Sequence, residues 1–242
     1  MCHIAVIEFF IDNIKLEEFK GKRVLEVGSK YVNGSVRPLI ENFCSPREYV
    51  GVDIEAGKFV DVILPAEKLV EYFSPESFDI VISTELLEHV QNWRLVINNM
   101  KSVLKRGGYI YITTRSYGFP YHAYPYDFWR YEIEDMKKIF SDFEIIKLIK
   151  DHEAPGVFLK AKKISNTLID LSNIAIYSMI LDRRTTLIPK LSDMPLQRRL
   201  TLELLGRLKN SRLKNSSLIR ILRLLSSWTR NEPVKLYLFI SI

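Results

Sequence analysis

The sequence predicts an α/β fold: a doubly wound, mostly parallel seven-stranded sheet with a C-terminal helical insertion or extension. Two observations carry this expectation. Short apolar runs alternate with segments of helical periodicity from Val24 to Thr114. Those runs are apolar almost throughout, as strands are when helices cover both faces of a parallel sheet.

The elements follow in order. Ile7 to Phe19, with Ile7, Phe10, Ile11 and Ile14 at helical spacing, reads as an opening helix. Val24–Val27 is the first strand, Val36–Phe43 a helix, Tyr49–Asp53 the second strand and Val60–Leu64 the third. Ala66–Phe73 reads as a short helix and Phe78–Ser83 as the fourth strand. Trp93–Leu104 is an amphipathic helix for which Gly107-Gly108 supplies the left-handed cap, and Tyr109–Thr114 is the fifth strand. Phe128–Phe140 reads as a helix and Phe143–Asp151 as the sixth strand, before Pro155-Gly156 breaks the chain. Phe158–Leu181 and Leu196–Trp228 carry Leu and Ile at threes and fours with Lys and Arg between, the pattern of basic amphipathic helices. The closing strand is read at Val234–Ile242, with Val157–Lys163 as the alternative.

The 242 residues, 47% hydrophobic, suit one globular domain or a domain with an appendage, and can bury a core without disulfides. Cys2 and Cys44 are the only cysteines. They make neither a disulfide framework nor a metal-ligand cluster, so a reducing, cytoplasmic setting and no metal are expected. Met1–Ile11 is apolar but short and lacks a basic leader and cleavage pattern, so it is not read as a signal peptide. No run reaches the roughly 18 to 20 apolar residues of a spanning helix. The net charge of +6 is unevenly spread: acids slightly outnumber bases up to Lys163, and the positive excess lies beyond Ile164.

In an open parallel sheet a ligand binds beyond the carboxyl ends of the strands, at the switch point beside the first strand. There the chain reads Val24-Leu-Glu26-Val-Gly28-Ser29-Lys-Tyr-Val-Asn-Gly34-Ser35. Gly28 lets a ligand approach the backbone with no Cβ in the way. The Glu26 carboxylate suits a cationic ammonium and would repel a pyrophosphate. Asp53, closing the second strand, can accept hydrogen bonds from ribose hydroxyls. The loop is not the G-x-G-x-x-G of a dinucleotide fold, and no P-loop occurs, so a nicotinamide oxidoreductase and a P-loop nucleotidase are disfavoured.

These residues, with Tyr49-Val-Gly-Val-Asp53, Val60-Asp-Val-Ile, Phe78-Asp-Ile-Val-Ile-Ser83-Thr-Glu-Leu-Leu-Glu88-His89-Val and Leu104-Lys-Arg-Gly-Gly108, resemble the class I S-adenosylmethionine-dependent methyltransferases, specifically the type 11 group. The resemblance spans about Gly21 to Lys150 and implies a Rossmann-like fold with S-adenosylmethionine as cofactor. By position it implies that Glu26 and Gly28 border the methionine moiety, with Ser29 a further cofactor contact. Asp53 then takes the ribose hydroxyls and Ile54 packs on the adenine. Ala66 and Glu67 lie at the adenine edge, and Ser83 and Thr84 lie under the sulfonium. Two departures stand out. The glycine-rich run is reduced to Gly28 and Gly34, and Pro65 stands where relatives commonly carry an acid. Asp53 has a second reading as a cap of its own turn, and His89 has one as a residue that merely packs the turn after Glu88.

After the fifth strand comes a segment dense in aromatic and titratable groups, Arg115 to Tyr131. Relatives carry a similar His-x-x-Pro-x-Asp-x-Trp-Arg stretch. His122 is the candidate general base, by its ordinary pKa of about 6.5, with Asp127 orienting it or binding substrate. Tyr121, Trp129 and Arg130 are candidate substrate contacts. The competing reading makes Asp127 and Arg130 a structural pair and the aromatics packing.

The expected organisation is a cofactor-binding core over residues 1–152, a basic helical insertion or extension over 153–232 and a final core strand over 233–242. The basic helices read as a membrane-surface or lipid-linked-substrate face, as a homodimer or partner surface, or as solvated charge; nucleic acid is less favoured because aliphatics, not aromatics, separate the basic residues. The expected function is methyl transfer from S-adenosylmethionine to an O or N atom of a small molecule, sugar or lipid-linked intermediate. The alternative is a catalytically inactive methyltransferase-fold binding or scaffold protein.

Overall fold

β1 (Arg23–Val27) is an inner strand of the molecule's larger sheet, and its four C-terminal residues are all buried. In the computed structural model, which describes residues 3–122, 126–196 and 198–200, β1 pairs in parallel with β2 (Glu48–Asp53) on one side and β4 (Phe78–Thr84) on the other. Beyond β2 lies the short β3 (Val62–Ile63), and beyond β4 the long β5 (Leu104–Arg115). With β7 (Phe143–Lys150) and β8 (Gly156–Lys163) the order is β3-β2-β1-β4-β5-β8-β7, and β8 runs antiparallel to both its neighbours. The sheet is therefore seven-stranded and mostly parallel, as expected. The strand order reverses at β1, which puts the switch point at the carboxyl ends of β1, β2 and β4.

One face of this sheet carries Val24, Ile80, Ile82 and Tyr111, packed under Val6, Phe9 and Phe10 of α1 (Ile4–Asn13) and under Val36 and Ile40 at α3 (Arg37–Cys44). The expected single opening helix is instead two: α1, and a turn of helix α2 (Leu16–Phe19), because Ile14 and Lys15 are extended. A 3-10 turn at Ala66–Lys68 leads into α4 (Leu69–Phe73), and α5 (Trp93–Val103) is capped by the Asn92 side chain. α5 ends at Val103 without a glycine cap; Gly107 (φ +82°) turns the chain four residues later, inside β5.

The closing strand was expected at Val234–Ile242, which lies outside the described residues. In the structure β8 fills the antiparallel position beside β5, so Val157–Lys163, the less favoured alternative, is that strand and the core sheet runs past residue 152. The expected helix from Phe158 is absent for a physical reason. Its lysines looked like a solvated face, but Lys160 is buried, its ammonium 2.8 Å from the carbonyl of Asn13 at the end of α1 and 2.8 Å from Glu18. Buried Lys163 likewise donates to Lys101 O and Leu104 O at the end of α5, at 2.8 and 2.7 Å. Helix C-termini leave carbonyls unpaired, and cations satisfy them.

The helix expected over Phe128–Phe140 is shorter. Trp129–Arg130 form β6, which joins β9 (Ile176–Ser178) and β10 (Arg183–Thr185) in a second, three-stranded sheet of order β10-β9-β6. α6 (Ile133–Ile139) then starts on a reciprocal cap between Glu132 and Asp135. The chain divides into compact units Met1–Pro189 and Lys190–Ile242. In the second, a 3-10 turn covers Leu191–Asp193; most of the expected basic stretch, from residue 201 on, lies outside the described residues. No helix among the described residues is long and apolar enough to cross a membrane.

Candidate active site

The β1 register aligns Glu26 with Gly51 and Val27 with Val52, so Asp53 ends β2 one residue beyond the last pair. Gly28 leaves β1 at φ +82°, and a Cβ there would meet Leu86 at 3.1 Å. A glycine is therefore needed at this turn on two counts, backbone conformation and space. The Gly28 and Ser29 amides donate to Val52 O at 2.9 and 3.0 Å, which presses the loop onto β2. Gly51 has no room either: a Cβ would lie 2.1 Å from Phe59 O and 2.6 Å from Ser29 Oγ.

Glu26 is 2% exposed, and its Oε2 accepts from the Tyr49 hydroxyl at 2.9 Å. Burial pushes its pKa up to about 7, against the lowering effects of Tyr49 and Arg37. Asp53 is half-buried. Its Oδ2 accepts from the Lys30 amide at 3.1 Å and its Oδ1 from the Glu55 amide at 3.2 Å. The turn-capping role foreseen for Asp53 is thus real, and it aims the carboxylate beside the Gly28 loop with lone pairs to spare. Ile54 is 56% exposed, an apolar side chain standing uncovered next to that carboxylate. Ala66 is buried and Glu67 half-buried; their carbonyls accept from Asn99 of α5 at 3.1 and 2.6 Å, which fixes the turn after β3. Ser83 and Thr84 end β4, both buried. A cleft of about 480 Å³ opens beside the Gly28 loop, lined by His3, Ile4, Tyr31, Asn33 and Phe59, and by none of the expected cofactor contacts.

The hydroxyls of Ser29 and Ser83 are buried and have no hydrogen-bond partner among the described residues. Buried polar groups ordinarily do. They belong to the loop after β1 and the end of β4, the two places where a polar ligand with amine, carboxylate and hydroxyl groups would lie. The residues present fit S-adenosylmethionine on that ground.

Farther along the sheet edge, the turn after β4 begins with Glu85, a buried non-glycine residue at φ 54°. Residues held in the left-handed region cluster at functional sites. Glu85 pairs with Arg115 at the end of β5, and Arg115 reaches Asp151 at 3.2 Å. Burial first, then neighbouring Glu88, raises the pKa of Glu85, against the pull of Arg115.

The loop after β5 folds back onto this turn. Phe128 and Trp129 donate their amides to Glu88 O at 2.7 and 3.2 Å. Asp127 and Arg130, both fully buried, form a two-point ion pair at 2.5 and 2.6 Å, and Asp127 Oδ2 also accepts from the His122 amide at 2.8 Å with Nδ1 of that ring 3.1 Å away. Burial opposes ionisation of Asp127, but Arg130 and His122 outweigh it and hold the carboxyl down to about 2.

Trp129 and Arg130 were expected to touch substrate. Instead both are fully buried. Trp129 donates to Val90 O and Gln91 O at 3.0 and 3.1 Å, and the Arg130 nitrogens bind Asp127, Trp129 O, Phe119 O and Pro120 O. They hold the loop's shape, as in the structural reading. Tyr121 and His122 are half-buried and remain at its surface.

What sequence reasoning missed is the assembly on Glu88. Its carboxylate is fully buried; Oε2 accepts from Thr114 at 2.8 Å, and Oε1 lies 3.9 Å from Nε2 of both His89 and His122. The signal was present in Glu85-Leu-Leu-Glu88-His89, two acids three apart with a histidine, directly after an apolar strand. The partner His122 is 33 residues away and only the loop's return makes them neighbours.

A methyltransferase domain profile matches residues 5–152. Among curated proteins, the chain is 22% identical over 134 residues to (S)-coclaurine N-methyltransferase of Thalictrum flavum subsp. glaucum, covering 51% of this chain and 37% of that protein. It is 29% identical over 114 residues to the ubiquinone biosynthesis O-methyltransferase of Vibrio atlanticus, covering 43% and 48%. The chain thus spans less than half the length of these two relatives. Among solved structures, an S-adenosylmethionine-dependent methyltransferase from Mesorhizobium loti aligns with TM-score 0.52 at 14% identity, covering 66% of this chain and 98% of that one. The [4+2]-cyclase SpnF aligns with TM-score 0.51 at 13% identity, covering 65% and 79%. At these identities the structural likeness is one of fold.

Proposed function

Since this chain belongs to the methyltransferase domain family, we propose that it transfers a methyl group from S-adenosylmethionine to an oxygen or nitrogen of a small-molecule, sugar or lipid-linked acceptor. The observation that carries the reading is the meeting of Gly28, Asp53 and Ser83 at the carboxyl ends of adjacent strands, with the buried Ser29 and Ser83 hydroxyls unpartnered between them. The N- and O-methyltransferase names of the two curated relatives support either acceptor atom.

The chemistry the cofactor supplies when bound is an electrophilic methyl on a cationic sulfonium. The chain's own residues bind, orient and exclude water. Asp53 takes the ribose hydroxyls, Ile54 covers the adenine face, and Gly28 allows the backbone to approach. Ser83 and Thr84 floor the reacting end. His122, oriented by Asp127, meets the acceptor's proton. Alignment of acceptor and methyl then supplies much of the rate.

Asp53→Ala removes charge-assisted hydrogen bonds to the ribose and loosens the Lys30 and Glu55 turns. Calorimetry on this variant is expected to read a cofactor dissociation constant raised about 30-fold or more, from roughly 2 kcal/mol of lost binding. A value within a factor of two of wild type refutes the ribose contact.

Glu26 adds a pH dependence. Its pKa in the protein, about 7, lies above the ordinary 4.5. The carboxyl must therefore lose a proton before it can attract an ammonium, and cofactor affinity rises as pH climbs through 7. Titrations at pH 6 and pH 8 should differ by roughly fivefold to tenfold, and Glu26→Gln should flatten the difference. An equally flat wild type would detach Glu26 from the ammonium.

Turnover against a panel of hydroxyl and amine acceptors separates this reading from that of a binding protein. Cofactor binding with no transfer to any acceptor would favour the scaffold alternative.

A further inference from the structure

We propose that Glu88, His89 and His122 form a site for a divalent transition-metal cation at the acceptor end of the crevice. Glu88 and His89 lie in the turn after β4 and His122 in the loop after β5, and the three ligand atoms all fall within 4.8 Å of one another.

The hydrogen bonds around the cluster decide which atoms are free to bind. Nδ1 of His89 is 2.6 Å from the carbonyl of Tyr126, and Nδ1 of His122 is 3.1 Å from Asp127 Oδ2. A carbonyl and an ionised carboxylate can only accept, so each imidazole carries its proton on Nδ1 and turns a lone pair outward at Nε2. Both Nε2 atoms face Oε1 of Glu88 at 3.9 Å, and that oxygen is fully buried with no hydrogen-bond partner among the described residues. Three possible ligand atoms thus converge, none of them used by the hydrogen bonds that orient the side chains. A buried carboxylate oxygen left in this state is costly. A cation satisfies all three at once.

The surroundings have the character of a built metal site. Each ligand is steered by an outer partner: Thr114 for Glu88, Asp127 for His122 and a backbone carbonyl for His89. Asp127 is in turn clamped by Arg130. Two imidazoles and one carboxylate suit Zn²⁺, Fe²⁺, Co²⁺ or Mn²⁺ better than Ca²⁺ or Mg²⁺, which favour all-oxygen shells. Ligands about 2.1 Å from a tetrahedral zinc stand about 3.4 Å apart, so the 3.9 Å separations must contract by roughly half an ångström and the widest, up to 4.8 Å, by up to about 1.4 Å. Three protein ligands leave coordination positions open for an outside oxygen.

That opening assigns the acceptor class: a hydroxyl compound, best with a neighbouring oxygen that can chelate. Coordination lowers the hydroxyl's pKa. Its proton leaves to solvent, the oxygen's electron pair forms the bond to the methyl carbon, and the carbon–sulfur pair stays on sulfur. This use of the site rests on the methyl-transfer reading; cation binding itself does not. With a cation seated, the His122 lone pair acts through it; with none seated, the same lone pair takes the proton. His89 separates the two uses, since a base at His122 has no need of it.

The test uses the full chain, stripped with chelator and titrated with Zn²⁺ by calorimetry and with Co²⁺ by visible absorption. Glu88→Gln keeps the side chain's shape. His89→Asn keeps a donor for the Tyr126 carbonyl and deletes Nε2. Wild type is expected to take up one Zn²⁺ per chain and to show Co²⁺ ligand-field bands, and each variant to bind roughly tenfold or more weakly at unchanged melting temperature. Absence of Zn²⁺ and Co²⁺ binding in wild type, or equal affinity in both variants, overturns the site. A parallel titration with S-adenosylmethionine keeps the two readings apart. Cofactor binding without metal removes the cation site alone, whereas metal binding without cofactor removes the methyl-transfer reading alone.

Discussion

His122→Ala is expected to lower turnover by about 100-fold or more while leaving the cofactor dissociation constant within a factor of two of wild type. The asymmetry follows from where the ring sits. It belongs to the loop after β5, on Asp127 and beside Glu88 and His89, whereas the residues assigned to the cofactor end β1, β2 and β4. Proton handling by a positioned imidazole contributes typically 10² to 10⁴ in rate, and the ring enters no contact assigned to the ribose or adenine. Single-turnover rates and calorimetry on the same preparation check both halves. An unchanged rate removes His122 from the chemistry. A lost cofactor affinity with proportionate loss of turnover would mean that the loop, not the ring, was damaged.

Asp127→Asn is expected to cost about 3 to 5 kcal/mol of stability, the range for breaking one side of a buried ion pair. The reason is Arg130. Its guanidinium is fully buried, and among the described residues its hydrogen-bond partners are the Asp127 carboxylate and backbone carbonyls, of which Asp127 alone carries charge. Removing the carboxylate's charge strands the cation. At roughly 2 to 4 °C per kcal/mol for a domain of this size, the melting temperature should fall by about 10 °C, which a thermal scan reads directly. Acid titration gives an independent check. The Asp127 carboxyl titrates near 2 in the folded chain, below its ordinary 3.8. Its stabilisation is therefore complete above about pH 4 and disappears as pH falls toward 2, by roughly 2 kcal/mol. The variant should lack that component. A melting temperature within 2 °C or so of wild type would show that the pair is not what holds the loop.

The two variants also divide the loop by role. His122 stays half-buried beside Glu88 and His89, while Asp127, Trp129 and Arg130 hold the scaffold beneath it. From sequence, Asp127 and Arg130 had two readings, a role at the site or a structural pair, because buried and ligand-facing polar residues have the same spelling. Arg130 became a staple through the carbonyls of Phe119 and Pro120, which come within its reach only once the loop has turned.

Local pattern by itself determined the α/β class, the parallel strands and the switch-point loop. A strand covered on both faces must be apolar along its length, and a backbone turn at φ +82° favours glycine. Such constraints act on neighbours in the chain, so Val24–Gly28, Tyr49–Asp53 and Phe78–Thr84 were legible without a third dimension. Tertiary structure alone decided which segment closes the sheet and which acids and histidines meet. The Lys160 and Lys163 ammoniums are buried because helix-end carbonyls from α1 and α5 await them, and no periodicity in Gly156–Lys163 encodes those distant acceptors. Glu88 and His122 are brought together in the same way by the loop's return. Burial of a charged group depends on partners far away in sequence, whereas burial of an apolar face shows in its own spacing.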